Sequence, residues 1–163
     1  MRVFRSGGPI RFLVAALVAG FALMFGGASA AHAGTVHPDG PGATLTSASI
    51  TFFTLDDDKD GDTQLTVQVL DNSGRAVAVF SGQPGLFDDQ STHTIPLRIR
   101  SGVSFDSLSA GHLRISIQPN GDDTWKFGFE QDLNFSDGDF IPTLIDRTSL
   151  SEDNKVFTTP LQF

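Results

Sequence analysis

The chain has no cysteine and no tyrosine, and only one tryptophan and two methionines among its 163 residues. Without thiolates it has no disulfide framework, no thiolate zinc site and no iron–sulfur centre. Basic residues are scarce as well: 11 Lys and Arg stand against 19 Asp and Glu, a formal net charge of −8. That sign repels phosphate backbones and argues against nucleic acid as a partner. The length is one domain's worth, too short for a two-domain dehydrogenase or a complete (β/α) barrel. A hydrophobic fraction of 39% belongs to a folded chain rather than a disordered one. Catalytic motifs are missing too: no G-x-S-x-G elbow, no H-E-x-x-H and no phosphate-cradling Gly loop occurs. Glu130 and Glu152 have polar neighbours, not the apolar pocket that keeps one acid of a hydrolytic pair protonated. The chain reads as a binding protein and not as an enzyme.

Residues 1–33 have the form of a secretory signal peptide. Arg2, Arg5 and Arg11 precede an apolar run from Phe12 to Phe25, which is followed by small residues up to Ala33. The run is short for a transmembrane span, and cleavage is expected after Ala33, with Ala30 as the overlapping site. Three of the 11 basic residues and none of the 19 acidic ones precede Gly34, which leaves residues 34–163 with 8 against 19, a charge of −11. An exported domain of this size without disulfides depends on its core, on bound metal, or on both.

After an irregular Gly- and Pro-rich leader, 34–43, the hydrophobic period is two. Ile50 and Phe52, then Leu65, Val67 and Val69, then Ile95, Leu97 and Ile99 alternate with polar residues. Leu113, Ile115 and Ile117, and Trp125, Phe127 and Phe129, do the same. Arg75 to Phe80 follows the turn sequence Asp71-Asn72-Ser73-Gly74. The Trp125 alternation resumes at Leu133 and Phe135, which implies a long strand or a bulge near Gln131. Phe140 to Ile145 and Lys155 to Phe163 complete the set, and Pro160 suits an edge. Around Val103, Phe105 and Leu108 there is room for one short turn at most. Residues 44–163 are expected to form a single all-β domain, an antiparallel β-sandwich of seven or eight strands.

The chemistry concentrates between the first two strands, in Asp56-Asp57-Asp58-Lys59-Asp60-Gly61-Asp62. Asp56, Asp58, Asp60 and Gly61 match the D-x-D-x-D-G opening of a calcium loop, in which alternate carboxylates converge and Gly permits the turn. An EF-hand needs a bidentate Glu at the twelfth position; Val67 stands there, and flanking helices are lacking. The loop is therefore a calcium-type acidic loop on a β-scaffold. Five carboxylates within seven residues repel one another unless a cation neutralises them. The alternative is a metal-independent domain whose acidic turns only solubilise it.

Further acidic turns hold Asp88 and Asp89, Asp122 and Asp123, and Asp137 and Asp139. If successive strands run antiparallel, alternate connections share one end of the sandwich. The loops of Asp56, Asp58, Asp60 and Asp62, of Asp88 and Asp89, and of Asp122 and Asp123 then lie together, and the Asn72 turn lies opposite.

Acidic loops at one tip of a small sandwich resemble the calcium-dependent membrane-binding modules of the PLAT and synaptotagmin-module type. The resemblance implies calcium held by Asp56, Asp58, Asp60, Asp62, Asp88, Asp89, Asp122 and Asp123. It further implies that the calcium bridges to lipid headgroups, a peripheral rather than transmembrane contact; the partner expected for this chain is extracellular, whether lipid headgroup, glycan or protein. Leu86 and Phe87 are the candidates for apolar loop tips. Trp125, in phase with Phe127 and Phe129, is assigned to the core, and His93 and His112 to the surface.

Overall fold

The computed structural model describes residues 42–163. The expected signal peptide lies outside the described residues, as does the leader apart from its last two positions. Of these, Ala43 is buried and its carbonyl accepts from the Phe105 N–H at 3.1 Å.

Among the described residues, nine strands form two antiparallel sheets. They are β1 (Leu45–Asp57), β2 (Gln64–Leu70), β3 (Ala76–Gly82), β4 (Thr92–Pro96), β5 (Arg98–Ile99), β6 (His112–Gln118), β7 (Thr124–Phe135), β8 (Phe140–Ser151) and β9 (Val156–Pro160). One sheet has the order β4-β1-β7-β8 and the other β5-β3-β2-β6-β9. This is the expected all-β sandwich, with β9 and its Pro160 at an edge. The turn expected near Phe105 is a short 3-10 helix, Asp106–Leu108, that buries Leu108.

The period-two pattern builds the core directly. Ile50 and Phe52 of β1 and Trp125, Phe127, Phe129 and Leu133 of β7 face Leu65, Val67 and Val69 of β2 and Leu113, Ile115 and Ile117 of β6. Each such side chain contributes on the order of 1.5–3 kcal/mol by leaving water. Trp125 is fully buried, stacked on Phe127 at 3.8 Å, and its Nε1–H donates to Thr54 Oγ1 at 3.2 Å.

One expectation is corrected. The run Ile95 to Ile99 is not one strand: Ile95 pairs with Ile50 in the four-stranded sheet, whereas Ile99 pairs with Ala78 in the five-stranded one. The chain changes sheets at Leu97, and the described residues form nine strands in place of seven or eight. Because both sheets share one core, inward residues stay inward across the switch, and the period does not reveal it.

Of the two readings of the Trp125 alternation, the long strand is the one found: β7 runs from Thr124 to Phe135, with Gln131 buried in phase with Phe129 and Leu133. Register shifts occur between Thr54 and Asp57 of β1 and opposite Gly128, where β8 carries one extra residue. A Cβ on Gly128 would meet the Asp146 carbonyl at 2.5 Å, so this close approach requires glycine.

Candidate functional site

The connections β1–β2, β3–β4, β6–β7 and β8–β9 meet at one end of the sandwich. Thr63 Oγ1 donates to Asp123 Oδ2 at 2.6 Å, and Asn120 Nδ2 donates to Asp62 Oδ2 at 2.8 Å, joining the first and third of these connections. Lys59 and Phe87 exchange backbone hydrogen bonds, Lys59 N–H to Phe87 O at 3.1 Å and Phe87 N–H to Lys59 O at 3.0 Å, joining the first and second. At the opposite end the Asn72 N–H donates to Ser107 O at 2.8 Å. The alternation of connections expected from the sequence therefore holds.

Lys59 dominates the geometry of this end. Although it sits amid five aspartates, its side chain is fully buried. Its Nζ donates to the carbonyls of Asp60 at 2.7 Å and Gly85 at 2.6 Å and lies 4.9 Å from the centroid of the Phe87 ring. The long aliphatic stem is what makes such a position tolerable for lysine, and the two carbonyls satisfy the head. Burial pulls the ammonium below its ordinary value, against the opposing pull of Asp123 first and then of Asp60, Asp62 and Asp58.

Phe87, expected at a loop tip, is buried against Trp125 at 5.7 Å and stacked on His93 at 4.0 Å. The reason is the backbone bridge to Lys59, which folds the β3–β4 connection back over the core. Of the two apolar candidates, Leu86 alone is exposed, at 47%.

The eight candidate aspartates are divided among several places. Asp123 is buried beside Thr63, with Lys59 as the cation it influences. Asp58, Asp60 and Asp62 are exposed around it, and the Asp60 carboxyl is pushed above its ordinary value, chiefly by Asp123 and then by desolvation, Asp58 and Asp62. Asp56 faces Lys126 at 3.9 Å, with Asp57 closer at 2.7 Å, and Asp57 is the main cause of the raised Lys126 value. Asp122 faces Glu152 of the β8–β9 connection, whose carboxyl it pushes upward. Asp88 and Asp89 are exposed, and no side-chain partner is found for them among the described residues.

Three residues absent from the sequence-based candidate set thus belong to this end: Lys59, Thr63 and Glu152. Glu152 follows from the same alternation of connections, extended by one pair of strands. Lys59 had one signal, a lone base in an acidic run.

The arrangement does not fit a preformed calcium cage. Among the described residues, no three Asp, Glu or His side chains converge on a common metal position. The carbonyls of Asp60 and Gly85, oxygen donors of the kind calcium uses, are engaged by the Lys59 ammonium.

A scan against protein-family models finds no match to this chain. A search of curated proteins finds none either.

Proposed function

We propose that the chain is an exported, non-catalytic binding module that meets an extracellular partner of basic chemistry at its acidic end and does so without a metal. One observation carries this reading: connections distant in sequence converge on one end, whose interior is held by the Lys59 ammonium on two carbonyls while Asp58, Asp60 and Asp62 face solvent. An internal ammonium takes over the neutralising role of a calcium ion and leaves the outer carboxylates free for a cationic ligand. The non-catalytic part rests on the openness of the site, since Glu152 and Asp122 meet on an exposed rim. Export rests on the signal-like residues 1–33.

Oligolysine serves as the test ligand. Saturable, salt-sensitive binding by calorimetry, weakened in Asp58→Asn/Asp62→Asn, is the expected result. Absence of binding at low salt would remove the proposal.

A second reading, calcium on the outer carboxylates, has one observation in its favour. Asp60 stays crowded by Asp123, Asp58 and Asp62 in spite of Lys59, and a divalent ion would relieve that crowding.

A further inference from the structure

We propose that the outer face of the five-stranded sheet binds an acidic polysaccharide through Arg98, Arg100 and Arg114. The face is separate from the acidic end, and its composition is the opposite. None of the strands β2, β3, β5, β6 and β9 contains an Asp or Glu, in a chain that has 19 of them. In the other sheet the central strand β7 carries both Glu130 and Asp132.

Register places the basic groups on one side. Leu113 and Ile115 are buried in the core, so Arg114 between them points outward. Ile99 packs on the core, so Arg98 and Arg100 flank it on the outer side. Cross-strand partners then line up as Arg98, Val79, Gln68, Arg114 and Thr158, running across β5, β3, β2, β6 and β9. Arg98 and Arg114 stand three strands apart in that row, roughly 14 Å at the usual spacing between strands. Arg100 is two residues from Arg98 on the same side, about 7 Å along the strand.

All three arginines are exposed, and among the described residues their guanidinium groups have no hydrogen bond or ion pair. Arg75, by contrast, is paired with Asp71 at 3.1 Å. Neighbouring cations with no acid on the same face repel, and an anionic ligand offsets that repulsion.

The relief of the face suits such a ligand. A shallow groove of about 360 Å³ lies beside β3, lined by Ala76, Val77, Val79, Arg98, Ile99 and Arg100. An apolar lining accepts the C–H face of a sugar ring, and a guanidinium fork grips a carboxylate with two parallel hydrogen bonds. Gln68 and Thr158, between and beyond the arginines, offer amide and hydroxyl groups to sugar hydroxyls. A polymer with a carboxylate on each sugar engages separated arginines at once, which a single small anion does not. The acidic connections lie at one end of the strands, and screening over about 8 Å at physiological salt keeps them from cancelling the local field of the arginine row.

Affinity electrophoresis of the full chain through polygalacturonate, with neutral dextran as control, tests the proposal. Retardation by polygalacturonate alone is expected, falling as salt rises from about 50 mM to about 0.5 M. Arg98→Ala/Arg114→Ala should weaken binding by about tenfold or more with an unchanged melting midpoint, and the corresponding Lys pair should recover part of it. No retardation at low salt overturns the proposal, as does retardation that the Ala pair leaves intact. Equal retention by duplex DNA would replace it with a general polyanion face. If the arginines instead support salt-sensitive self-association seen by sedimentation, with no polysaccharide bound, the occupant is the acidic end of a second copy and the proposal falls.

Discussion

The ammonium of Lys59 lies 4.9 Å from the centre of the Phe87 ring, while the main chains of the same two residues exchange hydrogen bonds of 3.1 and 3.0 Å. One pair of residues thereby joins two connections, closes the core beneath them and supplies a positive charge among aspartates. A desolvated ammonium over an aromatic face gains more from the contact than an exposed one. The carbonyls of Asp60 and Gly85 complete its hydrogen bonding. The end of the sandwich is organised around an internal cation provided by the chain itself.

Lys59→Met keeps the stem and removes the charge. It leaves the carbonyls of Asp60 and Gly85 without their donor, a cost of about 1–3 kcal/mol. Urea unfolding at neutral pH measures this. The pH dependence has a definite sign. The folded-state value of Lys59 is depressed by burial, so the unfolded chain holds more protons as pH approaches the ordinary value of 10.5. The contribution of Lys59 to stability therefore becomes more favourable as pH rises from the depressed folded value toward 10.5. Comparing wild type with Lys59→Met across that interval isolates the contribution, which the variant lacks.

Asp60→Asn has the opposite effect on stability. The Asp60 carboxyl is raised above 3.8, first by Asp123, so its ionised form is disfavoured by folding at neutral pH. Removing the charge should raise the melting midpoint at pH 7 in the presence of a chelator. The advantage shrinks as pH falls through the raised value and wild-type Asp60 takes up its proton. A lower midpoint for the variant at pH 7 contradicts the crowding described here.

At the far end, Asp71 governs the β2–β3 hairpin. Its Oδ1 accepts from the Ser73 hydroxyl at 2.6 Å, the Ser73 N–H at 2.9 Å and the Arg75 N–H at 2.9 Å. These bonds, the Ser73 hydroxyl foremost, hold its carboxyl down at about 2. The stability they provide is complete above the ordinary value of 3.8 and is lost as pH falls from there to about 2. Asp71→Ala should lower the midpoint at neutral pH and remove that part of the acid transition, as followed by thermal melts between neutral pH and pH 2.

Much of this fold is legible in the sequence, because inward residues such as Phe52, Val67, Ile115 and Phe127 recur at the spacing a half-buried strand imposes. The turn at Asp71-Asn72-Ser73-Gly74 is legible for a local reason: Asp71 folds back on its own backbone, and Gly74 takes a φ of +79°. The sheet switch at Leu97 is not, since Ile95 and Ile99 face the same core from either sheet.

At the acidic end, the gathering of the loops follows from strand alternation, whereas the interior does not. A lysine among aspartates has the composition of a solvated turn. Phe87 beside Asp88 and Asp89 has the look of an exposed tip. Both are buried through a backbone bridge between positions 28 residues apart, a tertiary contact with no periodicity to announce it.

The central claim is that Lys59, and not a bound divalent ion, completes the acidic end. It is tested most directly by the melting midpoint of the full chain in calcium and in chelator. An ion bound only by the folded state at a hundred times its dissociation constant adds about 2.7 kcal/mol, a shift of several degrees in a domain of this size. The account predicts coincident midpoints at millimolar calcium. A calcium-dependent rise that Asp58→Asn/Asp60→Asn abolishes, and that magnesium reproduces only weakly, would contradict it and place a metal at this end.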